Sequence, residues 1–441
     1  MIANAGRPSR CLRGRLRVPG DKSIAHRALL LGAMAEGTTS VEGFPPSEDC
    51  LATLRCLRRL GAEISYAGPG SPEPLLIQGR GPGGLHEPED ILDTANSGTA
   101  LRLLAGLVAG LGVYAVLTGD SSLRRRPMRR IVDPLTRMGA AILGRGGGQY
   151  APLAIQGALL RGIDHTLPVA SAQVKSSILL AGLSAAGETV VREPEPTRDH
   201  TERMLAAMGA DISREGGVRG GSVVHLRGGS HLRGLRVPLP GDISSAAFFL
   251  VAAAITPGSE VVVEGVGVNP TRTGILDVLR EMGADVWLEN WREEAGEPVA
   301  DVGARASRLA GVEIGGALVP RVIDELPIIA VAATQAEGRT VVSGAAELRV
   351  KETDRIAAIV AELSRLGAQV QELPDGFAVE GPSPLRGGFV CSYGDHRIAM
   401  AMAVADLVSE GEVAVEGQEC VAVSYPGFYQ ALNSLNEGCQ S

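Results

Sequence analysis

The chain has 441 residues, 45% of them apolar and only 3% aromatic, and a formal net charge of −8. This length favours two domains of about 200 residues each, and the negative charge disfavours a nucleic-acid partner, which needs a broad basic face. Because residues 1–17 lack the apolar stretch of a signal peptide and no apolar run reaches the ~20 residues of a membrane span, we expect a cytoplasmic protein with no membrane partner.

A similar segment recurs six times along the chain: a polar residue, a stretch of small apolar residues, and then a glycine. The pattern predicts a helix that begins at an Asp, Asn or Ser cap and ends at the glycine. Its apolar character on nearly every side predicts burial, so we call these the inner helices. The copies occupy residues 21–37, 96–112, 171–187, 242–258, 324–338 and 395–411.

A β-branched run typical of a strand follows most inner helices, and an amphipathic helix comes next, ending in five copies before Leu-Gly-Ala or Met-Gly-Ala. Six such helix–strand–helix–strand units predict an α/β protein with three units in each of two lobes. The Pro-containing segments 18–20 and 237–241 are the predicted hinges. The first lobe is therefore expected to cover 20–241 and the second to cover 1–19 plus 242–441.

The first two inner helices begin with residues suited to anion binding, since a helix N-terminus carries about half a positive charge and unpaired N–H groups. Ser23 and Arg27 are four positions apart and share a helix face, with Lys22 at the N-terminal end. Gly98, in NSGT, lets a bound anion approach the backbone N–H groups. We expect His26 to be structural.

The next segments add candidates of mixed kind. Residues 122–130 hold five arginines, of which one or two are expected to reach a site while the others are solvated. Ser171 and Gln173 open the third inner helix and are suited to hydrogen-bonding a polyhydroxylated substrate. Lys175 shares a face with Ser171 and is either a substrate contact or a structural ion-pair partner.

The C-terminal half contains two charged segments. In RVKETDR, Lys351 and Arg355 are four positions apart and predicted to share a helix face, with Glu352 beside them. A carboxyl group among cations stays charged and can exchange a proton with a bound substrate. In GDHR, Arg397 falls in the first turn of an apolar inner helix, where an unpaired cation would be costly.

Lysine and cysteine usage give two further expectations. Only three of the 42 basic residues are lysine, namely Lys22, Lys175 and Lys351. Because arginine fills every other basic position, these three are predicted to need a compact ammonium group. The six cysteines have no metal-ligand spacing and are predicted to be reduced.

Taken together, DKSIAHR, NSGTALR, SLRRRPM, SAQVKS, EPTRDHTERML, PGDISSAAFFL, RVIDELP, RVKETDR and GDHRIAMA resemble the EPSP synthase family of 3-phosphoshikimate 1-carboxyvinyltransferases, in particular its second sequence class. The resemblance spans residues 18–429. It implies the two-domain enolpyruvyl transferase fold, with three βαβαββ repeats in each domain and the inner-helix N-termini facing an interdomain cleft. It also implies a monomer that needs no metal and no cofactor.

The resemblance further implies transfer of the enolpyruvyl group of phosphoenolpyruvate to the 5-hydroxyl of shikimate 3-phosphate, a step of aromatic amino acid biosynthesis and the target of glyphosate. Glu352 would protonate the methylene carbon of phosphoenolpyruvate, Asp324 would accept the hydroxyl proton, and Lys22 would stabilise the departing phosphate. The residues implied to bind shikimate 3-phosphate are Lys22, Ser23, Arg27, Ser171, Ala172, Gln173, Arg198, Asp324 and Lys351. Those implied to bind phosphoenolpyruvate are Lys22, Gly98, Arg126, Gln173, Arg355 and Arg397.

Two alternatives stay open at this point. A UDP-N-acetylglucosamine enolpyruvyl transferase would share the fold and phosphoenolpyruvate, but that family uses a loop cysteine and residues 120–128 contain none. A non-catalytic anion-binding module would have no use for Glu352 and Asp324 among the cations. One departure from the EPSP synthase pattern is that some members carry a lysine near the C-terminal SYP turn, where this chain has Ala422 and Val423.

Overall fold

A computed structural model describes residues 11–217 and 220–437 and divides the chain into two compact units. The N-terminal unit comprises Gly20–Pro240 and the short segment Glu293–Glu297. The C-terminal unit comprises the chain up to Pro19, Gly241–Arg292 and the chain from Pro298 onward. The ends of the predicted second lobe, residues 1–10 and 438–441, lie outside the described residues, as does much of the segment assessed for a signal peptide.

The N-terminal unit contains three four-stranded sheets, ordered β13-β2-β4-β3, β5-β6-β8-β7 and β11-β12-β10-β9. Its strands are β2 (Glu36–Glu42), β3 (Glu63–Ser65), β4 (Leu75–Arg80), β5 (Leu92–Asp93), β6 (Tyr114–Thr118), β7 (Ala141–Gly144), β8 (Tyr150–Gln156), β9 (Asp164–Thr166), β10 (Glu188–Glu193), β11 (Ile212–Gly216), β12 (Ser222–Arg227) and β13 (Arg236–Pro238). Its helices are α1 (Lys22–Met34), α2 (Glu48–Arg59), α3 (Gly98–Leu111), α4 (Arg129–Met138), α6 (Ala172–Gly182) and α7 (His200–Ala207). The four-residue segment α5 (Arg145–Gly148) is a turn in which Gly146 and Gly147 have left-handed backbone angles.

The C-terminal unit contains sheets ordered β1-β14-β16-β15 and β17-β18-β20-β19, and the two-stranded β21-β22. Its strands are β1 (Arg13–Leu16), β14 (Glu260–Gly267), β15 (Asp285–Glu294), β16 (Glu297–Arg305), β17 (Glu313–Ile314), β18 (Gly338–Val342), β19 (Gln369–Leu373), β20 (Gly376–Gly381), β21 (Gly388–Cys391) and β22 (Val413–Glu416). Its helices are α8 (Ile243–Ile255), α9 (Gly274–Glu281), α10 (Val319–Val322), α11 (Leu326–Thr334), α12 (Arg355–Arg365), α13 (His396–Val408) and α14 (Phe428–Glu437).

Each sheet corresponds to one repeat. In the second repeat, for example, β5 pairs in parallel with β6 across the inner helix α3, and the β7–β8 hairpin that follows α4 pairs antiparallel with β6. The α/β fold with βαβαββ repeats is therefore confirmed. The sixth repeat, β21–α13–β22, has no second pair of strands among the described residues and continues into α14.

The inner helices α1, α3, α6, α8, α11 and α13 are buried on almost every side, as the sequence predicts. The predicted glycine stop holds for α3, where Gly112 takes the left-handed conformation as the C-cap with φ 74°. It is wrong for the other five, which end at least three residues earlier. Gly37 and Gly338, for example, already belong to the strands β2 and β18, because the chain needs the intervening residues to turn.

The inner helices of each unit pack against one another and against the sheets, and they form much of the core of that unit. The closest approach is between α3 and α6: a Cβ on Gly106 would lie 2.1 Å from the carbonyl oxygen of Ser177. Only a residue without a side chain permits this distance. The small residues of the repeated segment therefore allow the helix backbones to touch.

Two further expectations concern the chain as a whole. The prediction of reduced cysteines is wrong for Cys11, which is disulfide-bonded, because sequence spacing alone does not show which cysteines meet in space. Cys50, Cys56, Cys391 and Cys420 are free thiols. Among the helices of the described residues, none combines the length and the apolar character needed to cross a membrane.

Candidate active site

In the N-terminal unit, side chains from the first two turns of α1, α3 and α6 meet. Arg27 on α1 donates from Nη2 to the hydroxyl of Ser176 on α6, at 2.8 Å. Arg102 on α3 donates to Gln173 on α6, and the Gln173 amide donates to Thr99 on α3 at 2.9 Å. Three positive helix ends therefore share one polar cluster.

Lys22 lies at the first position of α1, directly after the N-cap Asp21, whose side chain accepts a hydrogen bond from the Ile24 amide at 2.9 Å. The Lys22 ammonium group is 2.8 Å from Asp49 of α2. Sequence reasoning missed Asp49, although an acidic residue in the first turn of an amphipathic helix can be seen in the sequence. The pair fixes the ammonium group at the N-terminus of α1.

Arg27 is buried, and it bonds to neutral oxygens: Nε donates to Thr201 at 2.7 Å and Nη1 donates to the Ser23 carbonyl at 2.8 Å. Burial lowers the pKa of Arg27 to about 10, and the charge of Glu202 opposes that shift. The group stays charged at neutral pH. His26 is also buried, and its Nδ1 lies 2.8 Å from the Thr53 hydroxyl, which fits the structural role expected for it.

Gly98, the first residue of α3, lies beside two guanidinium groups. A Cβ at this position would be 3.1 Å from Nη1 of Arg102 and 3.2 Å from Nη1 of Arg126. Arg126 is buried and donates to Asn96 at 2.7 Å, whereas Arg125 and Arg129 are exposed and the other two arginines of the segment are half-buried. The missing side chain thus leaves the space in front of both cations open, and Arg102 joins the predicted site residues.

Three other predicted site residues belong to the same unit, at the start of α6 and before α7. Ser171 is the N-cap of α6 without a side-chain capping bond, and Ala172 is the first helical residue. Both are half-buried, as is Arg198 in the loop between β10 and α7. Lys175 is fully buried and forms ion pairs, so of the two roles left open for it the structure favours the ion-pair partner.

In the C-terminal unit, Asp324 lies between cations from three segments. Its Oδ1 is 3.6 Å from Nζ of Lys351 and 3.4 Å from Nη1 of Arg355. Its Oδ2 is 3.9 Å from Nη2 of Arg397, which also donates from Nη1 to the Asp324 carbonyl at 2.9 Å. The predicted residues of this half of the chain therefore form one cluster.

Arg355 is the centre of that cluster. Its Nε is 2.7 Å from Asp395, and its Nη2 is 2.6 Å from Glu352. Burial alone would lower the pKa of Arg355, but the charges of Asp395, Glu352 and Asp324 outweigh it and raise the pKa above its usual value. Burial lowers the pKa of Lys351, and the charge of Asp324 opposes the shift.

The predicted helix over RVKETDR begins later than its spacing suggests. Lys351 and Glu352 lie in a bend, and α12 starts at Arg355 behind the N-cap Asp354, which accepts from the Ala357 amide at 3.1 Å. Lys351 and Arg355 do not share a helix face. They meet instead through their common contact with Asp324.

A second set of buried polar residues surrounds the start of α8 and was missed from the sequence. Ser244 donates to Glu325, next to Asp324 in the chain. Arg272 donates to Asp242, the N-cap of α8, at 3.0 Å and to Ser244 at 2.9 Å. These bonds join the N-terminal turns of α8 and α11, while Arg397 joins α13 to the same region. Among the described residues, no three His, Cys, Asp or Glu side chains are grouped as a metal site.

Comparison with known proteins identifies the family. A family profile for EPSP synthase (3-phosphoshikimate 1-carboxyvinyltransferase) matches residues 7–432. The chain is 55% identical over 430 residues to the 3-phosphoshikimate 1-carboxyvinyltransferase of Citrifermentans bemidjiense, covering 97% of this chain and 98% of that protein.

Solved structures agree with this result. An EPSP synthase from Acinetobacter baumannii is 47% identical with a TM-score of 0.85, covering 97% of this chain and 96% of that one. The enolpyruvyl transferase NikO from Streptomyces tendae is 21% identical with a TM-score of 0.75, over 96% and 95% of the two chains, and shows the shared fold alone. The chain therefore belongs to the EPSP synthase family of 3-phosphoshikimate 1-carboxyvinyltransferases.

Proposed function

We propose that this enzyme transfers the enolpyruvyl group of phosphoenolpyruvate to the 5-hydroxyl of shikimate 3-phosphate, giving 5-enolpyruvylshikimate 3-phosphate and inorganic phosphate. The observation that carries the proposal is the family match over residues 7–432. The reaction belongs to the shikimate pathway of aromatic amino acid biosynthesis. Both substrates are small anions, which suits a chain whose buried cations lie at helix N-termini.

We assign shikimate 3-phosphate to residues of both units. The hydrogen bonds of Arg27 use three of the five N–H groups of its guanidinium, which leaves two for an acidic ligand. The assigned residues are Lys22, Ser23, Arg27, Ser171, Ala172, Gln173, Arg198, Asp324 and Lys351.

We assign phosphoenolpyruvate to the cations beside Gly98 and to those around Asp324. The open space at Gly98 supports this choice, since an anion there would meet the Arg126 guanidinium and the N-terminus of α3 together. The assigned residues are Lys22, Gly98, Arg126, Gln173, Arg355 and Arg397.

The chemistry needs a proton donor, a proton acceptor and a cation for the leaving group. We assign Glu352 to protonate the methylene carbon of phosphoenolpyruvate while Asp324 accepts the proton of the 5-hydroxyl, whose oxygen bonds to the adjacent carbon. Lys351 and Arg355, next to Asp324, favour its charged, proton-accepting form. The resulting tetrahedral intermediate loses phosphate, which Lys22 stabilises and which takes up the proton held by Asp324, and Glu352 removes a methyl proton.

The proposal also specifies a cytoplasmic monomer without cofactor, membrane or nucleic-acid partner. The net charge of −8 supports the exclusion of nucleic acid. Transfer to a UDP-sugar is disfavoured because the segment 120–128 lacks the cysteine that the corresponding family uses.

A phosphate-release assay tests the proposal. We expect release to require phosphoenolpyruvate together with shikimate 3-phosphate, and UDP-N-acetylglucosamine not to replace the latter. Asp324→Asn and Glu352→Gln should each lower kcat by about 100-fold or more, since each removes a proton-transfer group. Release with the UDP-sugar, or without any acceptor, would contradict the proposal.

A further inference from the structure

A buried cluster of charged side chains in the N-terminal unit has no part in the proposed chemistry. It contains Lys175 of α6, Glu193 at the end of β10 and Glu202 of α7. The Lys175 ammonium group is 2.8 Å from Glu193 and 2.7 Å from Glu202, and none of its side chain is exposed. Together with Arg27, the cluster holds two cations and two carboxylates.

The two carboxylates differ in the number of hydrogen bonds that they accept. Glu193 accepts hydrogen bonds from Lys175 and Ser222, both at 2.8 Å, and a third from Thr197. Neither oxygen of Glu202 has a hydrogen-bond partner among the described residues, although Oε1 is close to the ammonium group. A buried carboxylate held by one contact calls for an explanation.

Arg27 is hydrogen-bonded to the chain neighbours of Glu202 and Lys175. The residue before Glu202, Thr201, accepts from Nε of Arg27, and the residue after Lys175, Ser176, accepts from Nη2. Glu202 is also the foremost charge supporting the protonated form of Arg27. Yet no carboxylate oxygen in the described part of the chain lies within 4 Å of the Arg27 guanidinium. Arg27 can therefore still form an ion pair with a bound ligand.

We propose that Lys175 is a positioning residue that holds the Glu202 carboxylate away from Arg27 and thereby keeps Arg27 available to an anionic group of shikimate 3-phosphate. The proposal rests on the assignment of Arg27 to that substrate. Glu202 balances the buried charge of Arg27 from a distance. Without Lys175, Glu202 pairs with Arg27 and becomes an internal competitor of the substrate.

Lys175→Met tests this, because methionine keeps the length and the buried contacts of the side chain without its charge. We expect the KM for shikimate 3-phosphate to rise about tenfold or more, while kcat and the KM for phosphoenolpyruvate change by less than about threefold. Loss of packing alone would not single out one substrate. An unchanged KM for shikimate 3-phosphate in a folded Lys175→Met protein overturns the proposal.

The matched control is Lys175→Met/Glu202→Gln, which removes one positive and one negative charge and leaves the cluster balanced. The neutral amide cannot pair with Arg27, so the KM for shikimate 3-phosphate should return to within about threefold of wild type. A double variant no better than the single variant contradicts the competitor role. If Lys175→Met does not fold, Glu202→Gln alone decides: its KM should not rise, and a rise of about tenfold refutes the proposal.

A crystal structure of Lys175→Met, or of Glu193→Gln if the former is not obtained, separates this proposal from the function assignment. In Lys175→Met we expect a Glu202 oxygen within 4 Å of the Arg27 guanidinium, whichever substrate the enzyme uses. In Glu193→Gln, Lys175 should keep Glu202 in its present place. If Glu202 does not move in Lys175→Met, or if it moves to Arg27 in Glu193→Gln, then Lys175 does not hold it. A wild-type enzyme inactive with shikimate 3-phosphate would instead refute the function assignment.

Discussion

Lys22 and Lys351 each place a compact ammonium group beside a carboxylate, Asp49 at 2.8 Å and Asp324 at 3.6 Å. A guanidinium is wider and planar and does not fit the same position. We expect Lys22→Arg and Lys351→Arg to lower kcat by about tenfold or more although both keep the charge. Steady-state turnover measures the effect, and Arg17→Lys, on an exposed side chain, is the control. Wild-type turnover in both variants would show that these two positions do not need a compact ammonium group.

Gly98 keeps space open in front of two arginines. A methyl group there would lie 3.1 Å from Arg102 and 3.2 Å from Arg126, so both guanidinium groups must shift. We expect Gly98→Ala to raise the KM for phosphoenolpyruvate about tenfold and to weaken inhibition by glyphosate. Gly83→Ala, where a Cβ meets nothing within 4 Å, is the matched control. An inhibition curve that does not move would contradict this assignment.

His26 predicts a pH dependence of stability. Burial lowers its pKa to about 3, with Asp49 opposing the shift, whereas an unfolded histidine titrates near pH 6.5. The unfolded state therefore binds the extra proton first as the pH falls. The contribution of His26 to stability is complete above about pH 6.5 and is lost toward pH 3, at about 1.4 kcal/mol per pH unit.

Chemical unfolding at several pH values checks this. As the pH falls from about 6.5 to 4.5, the free energy of unfolding of wild type should fall more steeply than that of His26→Gln. The difference between the two slopes should be about 1.4 kcal/mol per pH unit. Parallel pH profiles for the two proteins would show that His26 does not remain neutral in the folded state.

Some residues of the two polar clusters were singled out in the sequence and others were not, for physical reasons. Arg27 and Arg355 were predicted from their four-residue spacing to Ser23 and Lys351, and Arg397 from its place at the start of an apolar helix, where an unpaired cation would be costly. The role of Lys175 stayed open in the sequence because its partners, Glu193 and Glu202, come from a strand and a helix further along the chain. Ion pairs between residues from different elements depend on how those elements pack, so a local sequence pattern does not predict them.

Among the elements, the contact between α3 and α6 is the most restrictive. Gly106→Ala would place a Cβ 2.1 Å from the Ser177 carbonyl, so the two helices must separate. We expect a loss of about 1–3 kcal/mol in the free energy of unfolding, measured by urea titration. Gly110→Ala on the same helix, with its nearest contacts at 3.3 Å, gains helix propensity and should be near neutral. Equal stability of the two variants would contradict the packing described.

The start of α12 shows why element boundaries are harder to predict than elements. The spacing of Lys351 and Arg355 suggested one helix face, yet Asp354 caps the helix and sets its start at Arg355. The side chain of Asp354 also pairs with Arg349 at 2.8 Å, which holds it in the capping position. The capping residue therefore determines where α12 starts, although the spacing of Lys351 and Arg355 suggested an earlier start.

For the whole molecule, the repeated segment predicted the α/β repeats but not the pairing of remote strands. The first repeat of each unit receives its parallel edge strand from elsewhere in the chain: β13 pairs with β2, and β1 pairs with β14. Partners about 200 residues or more apart leave no periodic signal. The family resemblance implied three βαβαββ repeats in each domain but did not specify these pairings.

The central claim, enolpyruvyl transfer through protonation of the methylene carbon, is tested most directly by the reaction in heavy water. Protonation at that carbon creates a methyl group, so deuterium from solvent should appear in the methylene group of the product. With shikimate 3-phosphate and phosphoenolpyruvate, mass spectrometry should find 5-enolpyruvylshikimate 3-phosphate in amounts equal to the phosphate released. Most of it should carry deuterium, because only one of the three methyl hydrogens is removed in the last step. Phosphate without this product, or product without deuterium, would contradict the account.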